Sequence, residues 1–159
     1  DYPAGPIIDK MAQKGKAIFD FPEPQVKGLN FSFSGLKTAI LYFLKRNVKE
    51  NPNFIEENIE NICASVQTRI VTILMKKLRK AARQTGIKEI AIAGGVSANS
   101  ELRNTLKSWG EKEGWNTYIP AFQFCTDNAG MIAVSGYYKY LKGEFIGQEA
   151  TPFARYSQG

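Results

Sequence analysis

The sequence predicts an α/β domain with several long helices, and three observations carry that prediction. Strand-like segments at 87–93 and 115–119 flank a helical one through short connections, the pattern of a parallel strand–helix–strand crossover. From 54 to 84, Ile55, Ile59, Ile62, Val66, Ile70, Leu74, Leu78 and Ala81 recur every three or four residues, an unbroken helical stripe. Residues 29–34 alternate apolar and polar, the period of a half-buried strand.

In chain order, Gly5-Pro6 opens a short helix with Ile7, Ile8 and Met11 on its apolar side, and Gly15 closes it. After the alternating segment, Ser34 is placed to cap a helix whose Leu36, Ile40, Phe43 and Leu44 share a face. The run Glu50-Asn51-Pro52-Asn53 breaks that helix, and the long stripe follows until Gly86. Lys76, Lys77, Arg79, Lys80 and Arg83 fall largely off the stripe; a solvated face is their commoner role, contact with RNA phosphates the alternative. Next come the buried strand 87–93, the turn Gly94-Gly95-Val96, and a helix carrying Leu102, Leu106 and Trp109. The second strand, 115–119, ends at Pro120. A last helix spans 126–141 before Gly143, and 144–159 reads as an irregular tail.

Composition narrows the chemistry. The 159 residues are 43% hydrophobic and 23% charged, ordinary globular material, and no apolar run approaches a membrane span. The balance of 21 basic against 15 acidic residues favours a polyanionic partner such as RNA, weakly. With no histidine, Ser-His-Asp and Cys-His nucleophiles and HExxH zinc chemistry are excluded within these residues. Cys63 and Cys125 lie far apart without a CxxC, so two reduced cytosolic thiols are expected rather than a disulfide. The opening Asp1-Tyr2-Pro3, with no initiator Met, leads us to expect a piece of a longer polypeptide.

Three loops hold the candidate chemistry. Residues 93–99 join a strand to a helix start, where glycines allow a ligand close to free N–H groups; a tight turn with Ser97 or Asn99 as helix cap is the competing reading. In Cys125-Thr126-Asp127-Asn128, Asp127 suits either a helix cap or a divalent cation, and a single carboxylate is a poor metal site by itself. Residues 1–9 set Gly5 between two prolines with Asp9 four residues on, a turn able to present a ribose acceptor or simply to cap a helix. The segment 32–38 lacks P-loop spacing.

Taken in order, YPAGPIID at 2–9, FSFSGLKT at 31–38, AGGVSANSELR at 93–103 and CTDNAGMIA at 125–133 resemble the tRNA adenosine threonylcarbamoyltransferase family, once labelled glycoprotease or O-sialoglycoprotein endopeptidase. The resemblance implies a two-lobed, actin-like ATPase (ribonuclease H-like) fold. Residues 1–143 would form its incomplete second lobe and 144–159 a tail. It implies transfer of a threonylcarbamoyl group from threonylcarbamoyl-adenylate to N6 of the adenosine beside the anticodon. Gly5, Asp9 and Asn99 then match nucleotide or substrate contacts, Gly94 and Gly95 shape the same wall, and Asp127 matches a ligand of one divalent ion, iron or zinc. The family's metal-binding histidines belong to the first lobe, outside these residues, so the chain alone is expected to be inactive. The implied partners are tRNA, the adenylate or ATP/ADP, and other synthase subunits, in the cytoplasm and without a membrane. Unpaired strand edges lead to an expectation of self-association. Two alternatives stand beside this reading: a sugar-kinase-like ATPase half, and a basic RNA-binding or assembly module.

Overall fold

The structure is a computed structural model that describes residues 3–151. It divides into two compact units, one ending at Cys125 and the other starting at Thr126. The first holds helices α1 (Ala4–Ala12), α2 (Ser34–Glu50) and α3 (Phe54–Thr85), strand β1 (Glu89–Ala91), helix α4 (Ser100–Glu113) and strand β2 (Asn116–Tyr118). The second holds helix α5 (Ala129–Leu141).

The class is α-rich with one small parallel sheet, as a crossover predicts. β1 pairs with β2 in parallel, Ile90 opposite Thr117, and α4 connects them. Glycine ends the helix before each strand: Gly86 after α3 and Gly114 after α4 adopt left-handed backbone, with φ of 72° and 67°. At the start of α3, Glu56 and Glu57 lie in the first turn, where negative charge meets the positive end of the helix dipole.

α3 is the spine. Its amino-terminal half buries Cys63 and Ala64 against Ala12 of α1. Further along, Ile73 packs with Phe21 and Leu36, the latter from α2. Val71, Met75 and Ala82 join Ile90, Leu102 and Leu106 in the core beneath the sheet. Three partners on different sides explain why burial does not follow the single stripe read from sequence. Ile55 on that stripe is exposed, whereas Cys63, Gln67 and Met75 beside it are buried.

Three expectations are corrected. Residues 29–34 form no strand, because no described segment pairs with them; Phe31 and Phe33 instead stack on one another at 6.2 Å, both exposed. Ser34 does not cap α2, whose preceding residue Phe33 offers no side-chain hydrogen bond. The strand around Ile90 is buried on one face only: Glu89 and Ala91 are exposed, since α3 and α4 cover a single side of the two-stranded sheet.

The basic residues of α3 are engaged within the chain. Lys77 donates to the carbonyls of Val26 and Gly28 at 2.8 and 3.0 Å, and Lys76 pairs with Glu23. Arg79 and Arg83 both pair with Glu113, and Arg79 lies over the Trp109 ring. They fasten the 22–28 segment and α4 to the spine, which argues against a row of free cations for RNA. No helix among the described residues is long and apolar enough to cross a membrane.

Candidate functional site

The parallel pair sends two loops from its carboxyl ends, where open α/β sheets bind ligands. After β1, Gly94 sits at φ 78° and ψ 177°, a conformation essentially restricted to glycine. The chain then makes a 3-10 turn at Gly95–Ala98, pinned by the buried Ser97 hydroxyl donating to the Gly94 carbonyl at 2.7 Å. Beyond the adjoining residues, no protein atom lies within 4 Å of where a Cβ on Gly94 or Gly95 would stand, so the outer face of the turn is open.

Asn99 is the N-cap of α4: its side-chain oxygen accepts from the Leu102 N–H at 2.9 Å. The helix-cap reading of this residue therefore holds. Its Nδ2 donates to Asp9 Oδ1 at 3.2 Å and to Gln67 Oε1 at 2.7 Å. Asp9, from α1, thus reaches the start of α4, ninety positions away. Its carboxylate also accepts from the Ser100 hydroxyl at 2.7 Å, the Ser100 N–H at 3.2 Å and the Gln67 amide at 2.9 Å. The placement is electrostatically sound, because the first turn of α4 carries unpaired N–H groups and the positive end of its dipole.

Gly5 lies one helical turn before Asp9 in α1, on the same face, and is exposed with open space at its Cβ position. Asp9 and Asn99 are brought into contact, the Gly94-Gly95 turn leads into Asn99, and Gly5 lies on the helix that carries Asp9. Asp127 belongs to the second unit and is exposed. It does not cap α5, because Asn128 does so, accepting from the Met131 N–H at 3.1 Å. Among the described residues no three His, Cys, Asp or Glu side chains come together, so those residues alone do not make a metal site.

Sequence reasoning assigned no role to Gln67, Ser100 or Arg103, and Gly15 does more than close α1. Gln67 and Ser100 complete the Asp9–Asn99 network through pairings far apart in the chain, which leave no local signal. Arg103 joins the two loops: it donates to the Ser97 carbonyl at 2.9 Å and the Pro120 carbonyl at 2.8 Å, and stacks over Phe122. Gly15 lets the end of α1 meet α3, where a Cβ would fall 2.1 Å from the Glu60 carbonyl oxygen.

On the open face of the sheet, Glu89 accepts from the Tyr118 hydroxyl at 2.6 Å and from Asn116 at 2.5 Å. Those hydrogen bonds, Tyr118's first, hold the Glu89 carboxyl below the usual range; the same bond and the nearby charge push Tyr118 above the ordinary phenol range. Both cysteines are free and buried, and burial raises the Cys63 thiol pKa.

Comparison with known proteins agrees with the motif order. The family model for TsaD, described as tRNA N6-adenosine threonylcarbamoyltransferase, matches residues 1–134. A relative of that name from Christiangramia forsetii is 54% identical over 98% of this chain and 46% of its own length. One from Riemerella anatipestifer is 55% identical over the same shares, and one from Thermosipho africanus is 47% identical over 89% and 42%. The chain thus spans about half the length of the curated relatives it matches. Motifs, model and relatives agree along most of the sequence: the chain belongs to the tRNA N6-adenosine threonylcarbamoyltransferase family.

Proposed function

We propose that this chain forms one wall of the adenylate site of a cytoplasmic tRNA-modifying acyltransferase with an actin-like fold. The observation that carries it is the junction of Asp9, Asn99 and Ser100 beside an open glycine turn at the carboxyl ends of β1 and β2. Threonylcarbamoyl-adenylate is the donor in this reading. The adenosine N6 of tRNA attacks the carbamoyl carbon, a C–N bond forms, the anhydride C–O bond breaks, AMP leaves, and the N6 proton is released to water. Asp9 and Asn99 hold the adenosine end, and the glycine turn admits it close to the backbone. Family membership disfavours the sugar-kinase reading, and the intramolecular pairing of the α3 cations disfavours the purely RNA-binding one.

A divalent ion, iron or zinc, is part of the proposal with Asp127 as one ligand and the rest from outside the chain. The described residues do not complete such a site. We further propose that the chain alone is inactive and self-associates. The apolar side chains of α5, Met131, Ile132 and Val134 among them, are exposed, and a neighbouring copy would cover them. tRNA, ATP or ADP and other synthase subunits are the proposed partners of the complete protein.

The test is a transfer assay on the complete protein with tRNA and threonylcarbamoyl-adenylate. Asn99→Ala and Asp9→Ala should each lower kcat/KM about 10- to 100-fold, the range for a hydrogen bond to a charged group. Asp127→Ala should abolish transfer. Near-normal rates in all three variants would refute the assignment.

A further inference from the structure

Gln67 lies on α3, 6% exposed, and belongs to no motif. Its carboxamide spans the Asp9–Asn99 pair: Nε2 donates to Asp9 Oδ1 at 2.9 Å, and Oε1 accepts from Asn99 Nδ2 at 2.7 Å. The hydrogen-bond senses are fixed by a backbone group. Asn99 Oδ1 accepts from the Leu102 N–H, so its other end is the NH2. That NH2 has two protons, and both are used, one on Gln67 and one on Asp9 at 3.2 Å. Asp9 Oδ1 is occupied by Gln67, Asn99 and the Ser100 hydroxyl. Asp9 Oδ2 carries only long bonds, from the Ser100 N–H at 3.2 Å and from Gln13 at 3.3 Å.

What remains for a ligand is acceptor capacity on Asp9 Oδ2 and on the second lone pair of Asn99 Oδ1. We infer that Gln67 is a positioning residue that leaves the Asp9–Asn99 pair able to accept but not to donate, and so selects ligands that present the vicinal hydroxyls of a ribose. The inference rests on the adenylate-site reading and adds to it a residue and a preference. A ligand with one hydroxyl missing leaves an acceptor unfilled, whereas a donor freed on Asn99 would tolerate such a ligand.

The experiment titrates the full 159-residue chain with AMP and with 2′-deoxy-AMP, followed by 1H–15N spectra that include side-chain amides. The chain as it stands should bind AMP about tenfold or more tightly than the deoxy form. Gln67→Met, close in shape but without hydrogen bonds, should shrink that preference to about twofold. Gln67→Glu still offers Asn99 an acceptor and should keep the preference while binding both nucleotides more weakly. Equal affinities for the unaltered chain, or an undiminished preference in Gln67→Met, would overturn the inference with the adenylate reading intact. Absence of binding by the unaltered chain would count against the adenylate reading itself. The Asn99 carboxamide protons then decide on Gln67: one should move towards its solvent-exposed position in Gln67→Met but not in Gln67→Glu. Unmoved resonances in Gln67→Met would overturn it.

Discussion

Replacing Gly15 with alanine should loosen the contact that carries Asp9 to its site. The new Cβ would stand 2.1 Å from the Glu60 carbonyl oxygen, 2.2 Å from its carbon and 2.7 Å from the Asn61 nitrogen. All three are backbone atoms of α3 and cannot turn aside as a side chain would. Overpacking costs about 1–3 kcal/mol, and rigid neighbours put this case at the upper end. Alanine restricts the unfolded chain and returns about 0.4–1 kcal/mol, so the net loss should be about 2 kcal/mol. Gly15 has no positive φ, so backbone strain adds nothing to the steric cost. Neighbouring bonds should weaken with it: Lys16 N–H donates to Asn61 at 2.8 Å and Phe19 N–H to Ser65 at 3.0 Å. Urea unfolding measures the loss as a lower midpoint at unchanged slope. Gly5→Ala, with open space around it, is the control and should be neutral or slightly stabilising. A Gly15→Ala protein as stable as its parent, with unshifted Asp9 and Ser100 resonances, would refute this packing account.

Three further outcomes are expected. Asn128→Ala should destabilise α5 by about 1 kcal/mol through its lost cap, while Asp127→Ala should leave helicity unchanged; circular dichroism with thermal melting separates them. The Tyr118 phenol should titrate above the ordinary phenol range and fall back towards it in Glu89→Gln, as read by ultraviolet absorbance. For Glu89, whose pKa is lowered on folding, the linked stability is present above the unfolded carboxyl's pKa and lost as pH falls through the folded one. For Tyr118, whose pKa is raised, it is present below the unfolded phenol's pKa and lost as pH rises through the folded one. Arg103→Lys should keep the charge but lose the paired hydrogen bonds to the Ser97 and Pro120 carbonyls, broadening the amide signals of both loops.

The helices were legible because their signals are local. The 3.6-residue period marked α3 and α4, and Gly86, in left-handed backbone, marked the end of α3. Parallel pairing followed from the short strand–helix–strand spacing. Residues 29–34 carry the right period for a strand, but a strand exists only with a partner, and none of the described residues supplies one. Asp127 and Asn128 are adjacent and chemically alike as caps, so sequence does not choose between them; the backbone registers Asn128 with Met131. The candidate site was half readable. Gly94 and Asn99 sit at a recognisable strand-to-helix junction, whereas Gln67 reads as one polar residue on a long helix. Only the approach of α1 and α4 to opposite sides of its carboxamide reveals its place.

Residues far apart in sequence make one adenosine-binding wall in this proposal, and a residue-resolved NMR titration with an adenosine nucleotide reads that wall residue by residue. Half a cleft should bind at about millimolar affinity. Shifts should be confined to Gly5, Asp9, Gly94, Gly95, Asn99 and neighbours such as Gln67 and Ser100. No shifts at millimolar nucleotide, or shifts gathered around Lys76 and Arg83, would contradict it.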